Sequence, residues 1–304
     1  MKAFIHQAVI RVSLLLGSWP IRFFAWWIAT GYFLFRPPRR RSSIRLYQVI
    51  FPNRPGWYYL YCTWRQFHSY AATFAERIEI DKKGVTTSTQ GRENLVEAAR
   101  RGSGGIILMS HLGSFEIAAQ AFQKYKLRLL LIMGEKEAKQ VAHDQREAMM
   151  ARGIHIQVAS EGEDFLFGGV EAIKFVREGG FVSVAGDLVW TEQRSRLPVS
   201  LFDHEVGLPA GPHLLALVSR APLFTMFTFR AEKGKYLIMM SPPREVKSSS
   251  RSERSAALQA SAQAYASALE EMVRQHPFQW YIFEHFFGST PYDKRESDRQ
   301  EDRS

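Results

Sequence analysis

The sequence contains a single cysteine, and this scarcity of thiols excludes several kinds of stabilising or catalytic site. With Cys62 alone the chain cannot form an internal disulfide, and it has no paired cysteines with zinc-site spacing. It also lacks the glycine-rich phosphate loop of nucleotide-binding proteins and the G-x-S-x-G turn of serine hydrolases. We therefore expect a reducing compartment and a chemistry that uses no metal, no other cofactor and no nucleophilic serine.

Acidic residues are absent from the first quarter of the chain. Ten of the 40 Lys and Arg residues precede the first acid, Glu76, so the other 30 balance the 30 acidic residues and residues 1–75 carry the whole net charge of +10. The same segment holds 19 of the 40 aromatic residues. Basic and aromatic side chains together can bind nucleic acid. Here the aromatics stand in apolar runs, which favours a membrane interface and no nucleic-acid partner.

No apolar run at the N-terminus is long enough for a clean membrane-spanning helix. Residues 12–21 and 23–35 are apolar, but Arg22 separates them and neither run reaches the roughly 18 residues that a span needs. Two short segments lying in the interface fit this pattern, and a tilted span that tolerates Arg22 stays open. Arg22 also argues against a cleavable signal peptide. The arginines at 36, 39, 40, 41 and 45 predict attraction to an anionic membrane surface, with the rest of the chain in the cytoplasm.

Apolar strands alternate with helical patterns through the rest of the chain. We predict strands at residues 105–110, 127–133, 154–158, 181–185, 223–230 and 235–240. This alternation predicts an α/β layered fold, with a largely parallel sheet flanked by helices. We expect a membrane-associating segment at 1–45, one large domain at 46–288 and a disordered charged tail at 289–304.

A histidine and a carboxylate, His111 and Glu116, follow the first predicted strand of this series. On a continuous helix, residues five apart point about 140° away from each other, but Gly113 supplies a turn that lets the pair meet. His111 would lie at the carboxyl end of a strand, where open α/β sheets bind their ligands. The pair suits a general base held by a carboxylate, although a surface or capping histidine also fits the spacing.

Further candidate residues follow the strand predicted at 181–185. Asp187 comes at its carboxyl edge and can therefore converge on His111, although an ordinary turn aspartate fits as well. Arg194 and Arg196 stand on the next loop, where they could pair with the phosphates of a carrier or a lipid headgroup. Exposed loop arginines are also common.

Five ordered blocks carry a family resemblance. The stretch from Gln90 to Glu116 resembles the H-x4-D/E block of the bacterial lipid A late acyltransferases, the lauroyl and myristoyl transferases of the lysophospholipid acyltransferase superfamily. The other blocks that resemble the family are Phe51-Pro52-Asn53, Gly186-Asp187, Leu208-Pro209-Ala210-Gly211-Pro212 with Ala221-Pro222-Leu223, and His276-Pro277-Phe278-Gln279-Trp280-Tyr281. The resemblance covers nearly the whole chain, from residue 8 to residue 287.

The resemblance implies acyl transfer from a thioester to a hydroxyl or amine of a lipid A-like or other glycolipid, at the cytoplasmic face of the cell inner membrane. His111 would be the base and Glu116 would hold its ring. Acyl carrier protein is the implied donor, with acyl-CoA as second choice, and backbone amides plus a basic side chain would stabilise the oxyanion. The expected substrate-binding residues are Asp187, Arg194, Arg196, Gly211 and Arg146.

One position departs from the family pattern. Family members carry an arginine soon after the second strand, where this chain has Gly134-Glu135-Lys136. Either Lys136 or Arg146 takes over that role, or the acceptor differs from lipid A. The alternatives are a lysophospholipid acyltransferase, an acyltransferase of another lipid-linked product, and a non-catalytic membrane-binding homologue.

Overall fold

A seven-stranded sheet forms the centre of the molecule. The computed structural model describes residues 19–83, 86–114, 117–118, 127–134, 150, 153–159, 165–188, 195–283 and 286–287. The strands are β1 (Thr86–Gln90), β2 (Gly105–Met109), β3 (Leu129–Gly134), β4 (Ile154–Ala159), β5 (Phe181–Ala185), β6 (Arg196–Leu201), β7 (His204–Pro209), β8 (Leu223–Glu232) and β9 (Lys235–Met240).

The order of strands in this sheet is β1-β9-β8-β2-β5-β3-β4. All neighbouring pairs are parallel except β8 and β9, which form an antiparallel hairpin. In β2, Ile106, Ile107 and Leu108 are fully buried, because helices cover both faces of the sheet there. This burial explains the continuous apolar run in the sequence, and the predicted α/β fold is confirmed.

Three helices precede the sheet: α1 (Trp19–Phe35), α2 (Pro37–Ile50) and α3 (Gly56–Lys83). Helix α1 packs along α3 through aromatic rings, since the Trp64 ring lies 5.9 Å from that of Trp26 and 5.3 Å from that of Phe33. No helix among the described residues is both long enough and apolar enough to cross a membrane.

The remaining described helices are α4 (Arg92–Arg100), α5 (Phe165–Arg177), α6 (Gly211–Ser219) and α7 (Arg254–Gln275), and a short 3-10 turn follows at Pro277–Gln279. Strands β6 and β7 form a separate antiparallel hairpin. Gln263 of α7 holds its edge, because its side-chain amide accepts from Ser200 N at 2.8 Å and donates to Ser200 O at 2.9 Å.

Most predicted elements lie where the sequence pattern placed them. The predicted strands at 105–110, 154–158 and 181–185 are β2, β4 and β5 to within one residue. Strands β1, β6 and β7 were not predicted. The helices expected between β2 and β3 and between β3 and β4 lie almost wholly outside the described residues.

Candidate active site

Two adjacent parallel strands bring the candidate residues to one edge of the sheet. Strand β2 leads into His111 and strand β5 leads into Asp187, and the pairing continues one residue beyond β5 because Gly186 N donates to Met109 O at 2.9 Å. Parallel neighbours present their carboxyl ends at the same edge. The residues that follow β2 and β5 therefore meet in space.

Asp187 holds both the backbone and the ring of His111. Its Oδ1 lies 2.9 Å from His111 Nδ1, and its Oδ2 accepts from the His111 backbone N–H at 2.7 Å. The Asp187 side chain is fully buried, whereas a quarter of the His111 side chain is exposed. An ionised carboxylate at Nδ1 keeps the proton on that nitrogen, so the lone pair of the neutral ring is on Nε2.

Two aromatic side chains from the C-terminal part of the chain support the same edge. Trp280 is fully buried, and its Nε1–H donates to Asp187 Oδ2 at 2.9 Å. The Tyr265 hydroxyl donates to Met109 O at 2.8 Å. Burial, and after it the nearby Asp187 carboxylate, raises the pKa of Tyr265 well above its ordinary value, so this phenol stays a neutral donor.

The segment that carries His111 is clamped between two other chain segments. Tyr281 N donates to His111 O at 2.9 Å, and Gly113 N donates to Gln279 O at 2.8 Å. On the other side Thr228 approaches so closely that a Cβ on Gly113 would lie 1.4 Å from Thr228 O. Gly113 has φ +79°, so both its conformation and its contact require glycine.

The backbone amides of residues 111–114 all donate within the protein. Besides the bonds from His111 and Gly113, Leu112 N donates to Ser110 Oγ at 3.2 Å and Ser114 N donates to Thr228 O at 3.3 Å. This turn therefore does not supply the backbone amides that we expected for an oxyanion.

A comparison of the sequence with protein-family models gives the family of the chain. A sequence model of the family described as bacterial lipid A biosynthesis acyltransferase matches residues 9–288. The chain belongs to this family. Membership implies an acyltransferase of lipid biosynthesis, with an acyl donor and a lipid acceptor. A comparison with curated proteins gives no match.

The structure of this acyltransferase brings His111 and Asp187 together but does not describe every predicted site residue. Within the described part of the chain, Asp187 forms hydrogen bonds with His111 and Trp280. Arg196 is an exposed residue at the start of β6, and Gly211 is a half-buried residue at the start of α6. Three predicted site residues lie outside the described residues: Glu116, Arg146 and Arg194. Lys136 also lies outside them.

Two functional candidates of this acyltransferase, Trp280 and Tyr265, were not predicted from the sequence. Trp280 stood in the H-P-x-Q-W-Y block, so a signal for it existed, but nothing in the sequence connected it with Asp187. Tyr265 lies in the middle of a helical pattern and gave no signal. A third buried group, His213, contacts Ser261 Oγ at 2.8 Å, and burial lowers its pKa to about 4, so this ring stays neutral.

No group of three or more metal-binding side chains occurs among the residues that the structure describes.

Proposed function

We propose that this family member moves a fatty acyl chain from an acyl carrier protein thioester, or as second choice from acyl-CoA, to a hydroxyl or amine of a lipid A-like or other glycolipid. The observation that carries the proposal is the contact between His111 and Asp187 at the carboxyl edge of the sheet. A histidine whose Nδ1 is held by a buried carboxylate is a general base with a defined tautomer.

The geometry supports a direct transfer. His111 Nε2 takes the proton of the acceptor as the acceptor oxygen or nitrogen attacks the thioester carbonyl, which forms the new bond to carbon and a tetrahedral oxyanion. Collapse of that intermediate breaks the C–S bond, and the leaving thiolate takes the proton from the imidazolium. Asp187 stabilises the positive ring between these two steps, because its negative charge lies against Nδ1.

We reassign the task of holding the ring from Glu116 to Asp187. Nδ1 carries one proton, and in the structure the acceptor at that nitrogen is Asp187 Oδ1 at 2.9 Å. Asp187 therefore acts through His111, which differs from the substrate contact that we first expected for it. Glu116 stays a candidate second carboxylate of the same block.

The oxyanion donor is sought outside the turn that carries His111. The amides of residues 111–114 donate within the protein, so other backbone amides or a basic side chain would stabilise the oxyanion, and Lys136 or Arg146 keeps the proposed role of the family arginine. Arg194 and Arg196 keep their proposed role with phosphates, because guanidinium groups pair with phosphate oxygens in a bidentate manner. Gly211 keeps its proposed role as a substrate-binding residue.

An exposed aromatic face supports membrane association. The large apolar side chains of α1 that are at least two-fifths exposed are Trp19, Phe23, Phe24, Trp26, Trp27, Ile28, Tyr32, Leu34 and Phe35. Two guanidinium groups from the α1–α2 junction, Arg36 and Arg39, lie 5.8 Å and 5.9 Å from the Tyr32 ring. Aromatic side chains beside arginines are typical of helices that lie in the headgroup region of an anionic bilayer. We infer that the protein associates with the cytoplasmic face of the inner membrane.

Helix α3 also exposes apolar side chains. Its residues Trp57, Leu60 and Tyr61 are exposed, so exposed apolar side chains are not confined to the segment 1–45. A large exposed apolar surface marks an interaction site, and we infer that the domain itself rests on the bilayer while a lipid acceptor reaches His111.

The experiment that tests this function is a transfer assay with two donors and three acceptor conditions. The full chain, in lipid–detergent micelles with excess chelator, receives the same acyl group on acyl carrier protein or on CoA. The acceptors are a lipid A precursor with an unacylated hydroxyl, a lysophospholipid, and none. Mass spectrometry of the lipids, with His111→Ala as the matched control, reads the product.

Each outcome of this assay has a defined meaning. Acylated lipid A precursor made from the carrier-bound donor supports the proposal. Acylation of the lysophospholipid alone would replace the acceptor, and thioester hydrolysis without transfer would indicate a thioesterase. A folded protein that is inactive with every donor would be a non-catalytic homologue, and activity that disappears with chelator would overturn the mechanism.

A further inference from the structure

We propose that Trp280 is a positioning residue for the reaction proposed above: its indole N–H fixes Asp187 and thereby tunes the basicity of His111. The inference rests on that proposed function for its catalytic meaning. Its structural content, a hydrogen bond that controls the carboxylate behind the base, can be tested on the protein without any substrate.

The hydrogen bonds of Asp187 divide between its two oxygens. Oδ2 accepts from Trp280 Nε1 at 2.9 Å and from the His111 backbone N–H at 2.7 Å, while Oδ1 meets His111 Nδ1 at 2.9 Å. Two donors on Oδ2 fix the rotation of the carboxylate, because turning it would break both bonds. Oδ1 is therefore aimed at the ring. Without the indole N–H, a single backbone donor would hold Oδ2.

Trp280 is itself held too firmly to turn away. Its side chain is fully buried, and its backbone oxygen accepts from Gln66 Nε2 at 2.6 Å. Gln66 is also fully buried. Its backbone pairs with Leu112 in an antiparallel bridge, and its ring meets that of Phe286 edge-on at 5.1 Å. The indole N–H is consequently presented to Asp187 by a rigid frame.

A simpler interpretation is that Trp280 only fills the core. Large buried aromatics stabilise folds, and a buried indole N–H normally finds some acceptor. The acceptor here is the carboxylate that holds the candidate base, and a hydrogen bond to a charged group is stronger than one between neutral groups. A core-filling role would change stability alone, whereas a positioning role would also change the titration of His111.

The direction of that change follows from electrostatics. A donor on Oδ2 spreads the negative charge of Asp187 away from the ring. Removing the donor concentrates the charge near Nδ1, which favours the imidazolium and raises the proton affinity of His111. Since a general base must be unprotonated, the acid limb of the pH–rate profile should move to higher pH.

The kinetic test compares Trp280→Phe with Tyr281→Phe. Trp280→Phe keeps a buried aromatic ring and removes the N–H. We expect kcat to fall about 10-fold, as when a residue that orients an active-site group is replaced. KM should stay unchanged and the acid limb should move upward. Tyr281→Phe removes a hydroxyl that lies 3.0 Å from both Ser69 Oγ and Thr73 Oγ1. This control should lower the Tm without moving the acid limb of the pH–rate profile.

The second test needs no activity. In the full chain with 15N-labelled tryptophan and 13C-labelled histidine, the indole resonance missing in Trp280→Phe identifies Trp280. That resonance should move upfield in Asp187→Asn, and the His111 ring should titrate at higher pH in Trp280→Phe. If neither signal moves, Trp280 is a core residue only and the inference is overturned. If both move in a protein without transfer activity, the coupling stands and the proposed function fails.

Discussion

The side-chain amide of Gln279 pairs with both backbone groups of Arg230: it accepts from Arg230 N at 2.9 Å and donates to Arg230 O at 3.0 Å. Strand β2 pairs with β8 only as far as Thr225, and further along β8 this amide serves Arg230 much as a neighbouring strand would. The backbone oxygen of Gln279 also accepts from Gly113 N. One residue thus ties the end of β8 to the segment that carries His111.

Replacing the candidate base should abolish transfer without unfolding the protein. Loss of a general base costs about 10²–10⁴ in rate, so His111→Ala should lose activity by that factor. The Tm should be retained, because the ring is partly exposed. A thermal melt and a steady-state rate measure both effects. A variant that keeps more than about a tenth of the wild-type rate would exclude His111 as the base.

Asp187→Asn should be more harmful than Glu116→Gln. An asparagine cannot stabilise the imidazolium and can present its N–H₂ to Nδ1, which would favour the wrong tautomer, at a cost of about 10²–10⁴ in kcat. The exposed Asp203→Asn is the matched control and should behave as wild type, since its left-handed φ of 61° suits asparagine. The opposite ranking of the first two variants in kcat would return the ring-holding role to Glu116.

The turn after His111 should not tolerate a side chain. Gly113→Ala would place a Cβ on top of Thr228 O and should prevent folding or remove most activity. Gly102→Ala is matched in backbone conformation, with φ +66°, but its Cβ would meet no atom within 4 Å. It should cost only about 1–2 kcal/mol of unfolding free energy. Urea titrations compare the two, and equal losses would contradict the close contact.

A buried carboxylate should make the stability depend on pH in the acid range. Burial raises the pKa of Glu76, but hydrogen bonds from Arg230 and Tyr236 outweigh it and leave the pKa below its ordinary 4.5. A lowered folded-state pKa stabilises the protein above pH 4.5, and this stabilisation is lost as the pH falls through the folded-state value. Urea unfolding between pH 7 and pH 3 should show a smaller loss in Glu76→Gln than in wild type.

Removing the partner of that carboxylate should be costly. Arg230 donates to Glu76 through Nε at 2.9 Å and Nη2 at 2.7 Å. Arg230→Met would leave a buried charge without its main partner, which costs about 3–5 kcal/mol of unfolding free energy. The double variant with Glu76→Gln should recover part of this loss. Strictly additive losses would show that the pair is not coupled.

Polar substitution on α1 should weaken binding to anionic vesicles. Phe24 and Trp27 are half exposed, so Phe24→Ser with Trp27→Ser should reduce sedimentation with vesicles without lowering the Tm. Val170→Ser, an exposed position on α5, is the control and should bind as wild type. Arg39→Gln should weaken binding to anionic but not to zwitterionic vesicles. Unchanged binding in every variant would contradict the assignment of this face.

The sequence predicts the strands better than it predicts which strands lie next to each other in the sheet. Strands β2 and β5 are continuous apolar runs because both faces of the sheet are covered, and their pattern is readable without a structure. Strand β1 reads Thr-Thr-Ser-Thr-Gln and has no apolar period, so only its pairing with β9 makes it a strand. Pairings between distant segments have no local signature.

The same distinction applies to the candidate site. The position of Asp187 after a strand predicted that it could reach His111, 76 residues earlier in the chain. Which carboxylate holds the ring could not be read locally, because that depends on β5 lying next to β2. The contact with Trp280 depends on the chain returning from α7, which no periodicity reports.

The clamp on the His111 segment has a consequence for biosynthesis. The helices that carry the aromatic face are translated first, whereas Gln279, Trp280 and Tyr281 are translated after every strand of the sheet. Until they leave the ribosome, His111 O, Gly113 N and Asp187 Oδ2 each lack one partner. The hydrogen bonds that complete the His111 segment can therefore form only at the end of synthesis, after every strand of the sheet has been made.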